Sequence, residues 1–204
     1  KGYLQARRAI LSFDADAVVG LGGYASALPV LAGWGVEIPC MLLEQNAIPG
    51  RTSRLLARFA NEIGVQFPES AKLFPNPRIV KHVGNPLRRK VLEAALRATE
   101  RNTAIAPTPA EPTILVVGGS QGAKALNDIA VRVWPRIRQS VPGVRMLIVS
   151  GPADEQRTMQ AFASAGGRGR VLGFTESMDE LYAQADVVLS RAGATGLAEI
   201  AAFA

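Results

Sequence analysis

Thr113-Ile-Leu-Val-Val117 is an apolar run that stops at Gly118-Gly119-Ser120-Gln121-Gly122-Ala123, and from Lys124 onward the apolar residues recur at helical spacing. The order is strand, tight loop, helix. A parallel α/β sheet places its ligands at such junctions, because the loop leaves the carboxyl end of a strand and the helix opens with unpaired N–H groups and a partial positive charge. Glycines there let the backbone approach an anion, and Ser120 adds a hydroxyl donor. A phosphate is the expected guest; the alternative is a plain βα turn in which the glycines serve only the turn. Two familiar phosphate loops are excluded. A Walker loop needs a glycine followed by Lys and Ser/Thr, whereas Ala123 precedes Lys124 and Ala125 follows it, and Gly118-Gly119 lacks the G-x-G opening of a dinucleotide fingerprint.

The whole chain suits such a fold. Its 204 residues are 48% hydrophobic and 20% charged, with a mean hydropathy of +0.14, as expected of one large or two small α/β domains. No apolar run reaches the roughly 18 residues that a membrane span requires. The one cysteine, Cys40, has no internal disulfide partner and sits in the apolar run Ile38 to Leu42, where it reads as a small buried hydrophobe in a reducing compartment. The one histidine, His82, leaves no material for His-rich metal sites or His-based triads. A net charge of +6 favours anionic partners: nucleic acid, anionic lipid or phosphorylated substrates.

Upstream, Asp14 to Val19 leads into Gly20-Leu-Gly22-Gly23-Tyr24-Ala-Ser26, a second strand-to-glycine junction. Its G-x-G-x-x-Ala spacing, with Glu44 downstream, allows a dinucleotide reading. Glu44 belongs more naturally to a polar cluster of its own, Glu44-Gln45-Asn46-Ala-Ile-Pro49-Gly50, directly after the apolar strand Pro39 to Leu43. That places a carboxylate and two amides at the same sheet edge as the Gly20 loop, or else marks an exposed loop with an N-cap. Arg51 to Ile63 is predicted helical, with Leu55, Leu56, Phe59 and Ile63 on one face and Arg51, Arg54 and Arg58 on another. Such a basic face is either solvated or meets anionic membrane together with Trp34. A short strand at 79–83 precedes Gly84-Asn-Pro-Leu-Arg88-Arg89, whose guanidiniums suit a diphosphate.

Residues 93–112 are rich in Ala, Thr and Pro and are expected to be an interdomain linker. Beyond it the βα alternation restarts at the Gly118 loop and ends at Arg191-Ala-Gly193-Ala194-Thr195-Gly196-Leu-Ala-Glu199, small residues opening a helix with a carboxylate in its first turn. Glu199 there either complements the helix dipole or accepts from both hydroxyls of a ribose.

Gly20 to Tyr24, Glu44 to Gly50, Gly84 to Arg88, Gly118 to Ala123, and Ser190 to Thr195 with Glu199 stand in an order that resembles the MurG family of peptidoglycan N-acetylglucosaminyltransferases. The resemblance covers essentially the whole chain. It implies a GT-B fold, two Rossmann-like α/β domains with parallel sheets that face a cleft, each incomplete here. Residues 1–92 would be the C-terminal part of the acceptor-binding, membrane-facing N-terminal domain, and 113–204 the first part of the UDP-GlcNAc-binding C-terminal domain. The implied reaction moves N-acetylglucosamine from UDP-GlcNAc to the C4 hydroxyl of lipid I, giving lipid II with inversion, at the cytoplasmic face of the bacterial membrane. The implied partners are UDP-GlcNAc, lipid I and an anionic membrane surface, with no nucleic acid. No cofactor is expected to be held tightly, and a divalent cation is left open.

Residue by residue, the resemblance implies that Gly118, Gly119 and Ser120 hold the donor diphosphate with Arg88 close by. Phe174, Thr175 and Met178 would form the uracil wall, Ala194 and Thr195 the adjoining loop, and Glu199 the ribose clamp. On the acceptor side Tyr24, Glu44 and Asn46 would act on lipid I, with Gly22 and Gly23 at its diphosphate. Glu44, or a histidine outside this chain, would be the base, and Trp34 and Arg58 would face the membrane. Leu43 stands where the family often has His. The chain opens inside a helix-like stretch without an initiator Met and stops without a helix cap, so it is expected to be a segment that does not transfer sugar alone. Other readings are another GT-B glycosyltransferase, a nucleotide-sugar epimerase, or a binding module without catalysis.

Overall fold

The structure, a computed structural model, describes residues 1–102, 111–119 and 121–204. It divides into two units, Lys1–Pro86 and Leu87–Ala204.

In the first unit α1 (Gly2–Ser12), β1 (Val18–Gly20), α2 (Gly23–Trp34), β2 (Cys40–Glu44), α3 (Arg51–Leu56), β3 (Glu62–Val65) and β4 (Val80–His82) follow one another. The strands pair in parallel in the order β1-β2-β3-β4, so each crossover steps the same way across the sheet. One face of this sheet carries the core: Val18, Leu42, Ile63 and Val65 pack against Val30 of α2 and Leu56 of α3. On the other face Val19 is 54% exposed. Alternation along the pleat produces this division, since successive side chains point to opposite faces.

The predicted helix from Arg51 to Ile63 ends at Leu56, and Ile63 lies on a strand. Asn61 explains the change. Its side-chain Oδ1 accepts from the Cys40 N–H and its own N–H donates to the Cys40 carbonyl, both at 2.8 Å. The chain is thereby bent onto the start of β2, and Ile63-Gly64-Val65 enters the sheet between β2 and β4.

The second unit opens with α4 (Arg89–Asn102) and continues through β5 (Thr113–Val117), α5 (Lys124–Ser140), β6 (Arg145–Val149), α6 (Glu155–Ser164), β7 (Gly169–Leu172), α7 (Met178–Gln184), β8 (Val187–Ser190) and α8 (Ala194–Ala201). The expected boundary at 92/93 and the expected linker at 93–112 therefore shift. Residues 93–102 are the body of α4, which packs on α7 and buries Val91, Ala94 and Ala95. Residues 103–110 of that stretch lie outside the described residues.

The second sheet, again all parallel, runs β7-β6-β5-β8 and is covered on both faces. Val116, Met146 and Ile148 meet Trp134 and Phe162 on one side; Leu115, Leu147 and Val149 meet Met178, Leu181 and Tyr182 on the other. Trp134 is fully buried, edge-on to Phe162 at 5.2 Å, with Nε1–H donating to the Gly166 carbonyl at 3.1 Å. Such an aromatic pair adds about 1 kcal/mol beyond the area it buries.

Candidate functional site

The order of the second sheet reverses once. From β5 the chain steps outward through β6 to β7, and α7 then carries it back so that β8 pairs with the free side of β5. The loops leaving β5 and β8 consequently run apart, which opens a crevice at the carboxyl ends of the two strands. A cavity of about 480 Å³ lies there. Val117 and Gly119 reach it from β5, Gly173, Phe174 and Thr175 from the end of β7, Met178 and Tyr182 from α7. Thr195, Gly196 and Glu199 reach it from α8, and Arg88 from the chain just before α4.

The loop after β5 is shaped by its glycines. Gly119 has φ +86°, a conformation that side chains resist, and a Cβ on Gly118 would run into the backbone of Ala123. The chain thus turns tightly into α5, whose N-cap residue, Ala123, makes no side-chain cap bond. Asn127 of α5 holds the neighbouring loop in place by donating to the Ser150 carbonyl at 3.0 Å and to Asp154 at 2.8 Å. The hydrogen-bonded Arg157 guanidinium is the main reason that the Asp154 carboxyl lies well below the usual range; desolvation opposes it, and bonds from Asn127 and Thr158 assist. Arg191, leaving β8, donates to the Gly118 carbonyl at 2.7 Å. Ser120, expected on the diphosphate, lies outside the described residues.

Glu199 sits deeper than its sequence position suggests. The first turn of α8 contains no acid, and Glu199 follows it, 7% exposed, so complementing the helix dipole is not its role. Arg88 donates to its Oε1 from Nε at 3.1 Å and forms an ion pair with the same oxygen through Nη2 at 3.0 Å, and the Tyr182 hydroxyl donates to Oε2 at 3.3 Å. Burial, followed by the negative charge of Glu199, raises the Tyr182 phenol well above its ordinary value. The phenol therefore stays a donor.

Of the expected donor residues, Arg88, Gly119, Phe174, Thr175, Met178, Thr195 and Glu199 line this one cavity. Gly118 and Ala194 flank it at the two loops without lining it. Sequence reasoning missed Tyr182 and Arg191. Tyr182 stands four residues after Met178, on the same helix face, which is the signal that could have found it.

The first unit carries the other expected residues at the ends of β1 and β2. Gly22 and Gly23, at φ +82° and +71°, turn the chain into α2, and the Ser26 hydroxyl donates to the Gly22 carbonyl at 2.7 Å. Tyr24 in the first turn is 92% exposed. Glu44 is 4% exposed and faces its own loop: Oε1 accepts from the Asn46 N–H at 3.0 Å and the Asn46 side-chain amide at 2.7 Å, and Oε2 from the Gly50 N–H at 3.0 Å. Burial alone would raise its pKa. Bonds from Ser53, Asn46 and Gly50 outweigh burial and hold the carboxyl below its ordinary value. Trp34, 56% exposed, stands edge-on to Phe59 at 5.0 Å. Arg58 joins Arg51, Arg54 and Lys72 around an open groove.

Residues 1–65 match the glycosyltransferase family 28 N-terminal domain, and residues 113–204 match the glycosyltransferase family 28 C-terminal domain. A relative from Pelobacter propionicus, named UDP-N-acetylglucosamine--N-acetylmuramyl-(pentapeptide) pyrophosphoryl-undecaprenol N-acetylglucosamine transferase, is 39% identical over 100% of this chain and 57% of its own length. The crystal structure of Acinetobacter baumannii MurG aligns with a TM-score of 0.67 at 31% identity, over 98% of this chain and 54% of that one. The chain belongs to the MurG family. Its fold is that of the GT-B class, two Rossmann-like domains with parallel sheets. UDP-GlcNAc 2-epimerase from Neisseria meningitidis, bound to UDP-GlcNAc, aligns with a TM-score of 0.65 over 95% of this chain and 59% of that one, but at 13% identity, and so shares the fold alone. The chain spans little more than half the length of the curated MurG-family relatives that it matches.

Proposed function

We propose that the protein is an inverting hexosyltransferase that moves N-acetylglucosamine from UDP-GlcNAc to the C4 hydroxyl of lipid I, forming lipid II. One observation carries the reading: seven expected donor residues, scattered from Arg88 to Glu199, line a single cavity at the reversal point of a sheet whose segment matches the family's C-terminal domain.

In this reading the uracil lies against Phe174, Thr175 and Met178, and the ribose hydroxyls meet Glu199. The diphosphate rests on Gly118 and Gly119 at the start of α5, with Ser120 and Arg88 as donors. As the acceptor oxygen attacks the anomeric carbon in line, the bond to the diphosphate breaks and negative charge grows on the leaving UDP. Fixed N–H groups and a guanidinium are what that charge needs. A base removes the acceptor proton in the same step. Tyr24 and Asn46 are assigned to the acceptor, with Gly22 and Gly23 at its diphosphate. Glu44 is reassigned from base to positioning residue: its oxygens are engaged by its own loop, and a lowered pKa is the opposite of a base poised near neutrality.

Trp34, Leu55, Arg51, Arg54 and Arg58 are assigned to the anionic membrane surface, at its cytoplasmic face. The aromatic ring and the basic groove are exposed in the same unit. Among the described residues no helix is long and apolar enough to cross a membrane. Replacing the three arginines with Gln is expected to weaken sedimentation with anionic vesicles by roughly 1 kcal/mol per charge.

The activity is tested with the full-length protein, UDP-GlcNAc and a lipid I analogue. UDP release that depends on the acceptor, with inversion in the product, is expected. Conversion of UDP-GlcNAc without acceptor, as an epimerase would give, contradicts the proposal.

A further inference from the structure

Glu199 carries more donors than a ribose clamp has room for. A carboxylate offers about four acceptor positions, two on each oxygen. Arg88 occupies Oε1, donating from Nε at 3.1 Å with Nη2 close against the same oxygen at 3.0 Å, and the Tyr182 hydroxyl takes a position on Oε2 at 3.3 Å. A ribose presenting two hydroxyls needs a place on each oxygen, so one holder must yield. The two holders differ in their freedom to do so. Tyr182 is 5% exposed, its ring packed on Phe203 at 5.6 Å, and turning its hydroxyl away would leave it buried without a partner. The Arg88 side chain is 53% exposed and reaches the cavity that Gly119 also lines, so its guanidinium has both water and an incoming anion to turn to.

We propose that Arg88 is a specificity-determining residue that makes the site select phosphorylated nucleosides: it closes Glu199 in the free chain and is drawn off by a diphosphate arriving at the Gly119 loop. A nucleoside without phosphate must open the Arg88–Glu199 pair and gets nothing back for the guanidinium. A nucleoside diphosphate opens the same pair and supplies the guanidinium with a new partner, for which its planar fork is suited. Tyr182 keeps Oε2 fixed throughout, so the carboxylate does not rotate as its other partner changes. This inference rests on the donor-site reading above, in which Glu199 takes the ribose.

The test compares uridine with UDP by ligand-observed NMR titration of the chain, of Arg88→Gln and of Glu199→Ala. Removing the guanidinium is expected to move the two affinities in opposite directions. Uridine should bind about three- to tenfold tighter, because the closed state that taxed it is gone. UDP should bind about tenfold weaker, because its charge-assisted partner is gone. Arg88→Met, which keeps an apolar stem without the charge, should behave the same way and guards against a particular effect of Gln. Unchanged or weaker uridine binding in both Arg88 variants, with Glu199→Ala still losing uridine, overturns the closing role while leaving the ribose reading intact. Uridine binding that Glu199→Ala does not alter overturns the ribose reading, and the closing role falls with it.

Discussion

Glu44 and Glu199 are the two buried acids among the described residues, one in each unit, and they are held in opposite ways. Every hydrogen bond described for the Glu44 carboxylate comes from Asn46, Gly50 or Ser53, within nine positions in the chain, and two of them are backbone N–H groups. Those described for Glu199 come from side chains 17 and 111 positions away, one buried and one half in solvent. An acid satisfied by its own loop is a fastening, because no ligand can displace a backbone amide without unfolding the loop. An acid satisfied by distant side chains at the wall of a cavity has partners that can be exchanged. The sheets repeat the contrast: the first steps steadily from β1 to β4, whereas the second reverses at β5 and β8, where the cavity forms.

The largest expected effect breaks the fastening. Glu44→Ala should destabilise the first unit by about 3 kcal/mol, because the Asn46 and Gly50 N–H groups lose the buried, charged acceptor that ties their loop to β2. UDP affinity should be unchanged. Chemical denaturation and calorimetry on the same variant check both halves, and a loss of UDP affinity without a loss of stability would reverse the assignment.

The matching change in the second unit should do the reverse. Glu199→Ala is expected to weaken UDP-GlcNAc binding by about 2 kcal/mol, from the loss of charge-assisted bonds to the ribose. Calorimetry showing unchanged affinity would remove Glu199 from the site.

A smaller effect is expected from pH. Glu44 has a folded pKa below its unfolded one, so its contribution is fully present above the ordinary glutamate value and is lost as pH falls through the lower folded value. Acid titration of stability should therefore show a loss below about pH 4.5 that Glu44→Gln removes. Identical acid limbs in the two proteins would mean that the loop does not hold the charged form.

What could be read from the sequence divides along the same line. The Gly118 loop was legible because its signals are local: an apolar run, then glycines, then helical spacing. Glu44 was legible as a polar cluster at a strand end, but not as a tether, since its bonds to Asn46 and Gly50 depend on how the loop closes. β3 was not legible. Ile63 continues the helical spacing of Leu56 and Phe59, and only the bonds between Asn61 and Cys40, across 21 positions, turn the chain into the sheet. Residues 93–102 were read by their Ala and Thr content as linker, although Glu93, Ala94, Ala95, Leu96 and Arg97 are all good helix formers. Tyr182 drew no reading from the sequence; it is a core residue whose hydroxyl acquires a task only because α8 brings Glu199 beside it.

The central claim, that the donor site belongs to the reversal point of the second sheet, is tested most directly by amide hydrogen exchange with and without UDP. Protection is expected in the loop after β5 at Gly118–Ala123, in Gly173–Thr175, and at Gly193–Glu199, with the Gly20–Tyr24 and Glu44–Gly50 loops exchanging as before. Protection confined to Gly20–Tyr24 or Glu44–Gly50, with the loops after β5 and β8 unaffected by UDP, would contradict it.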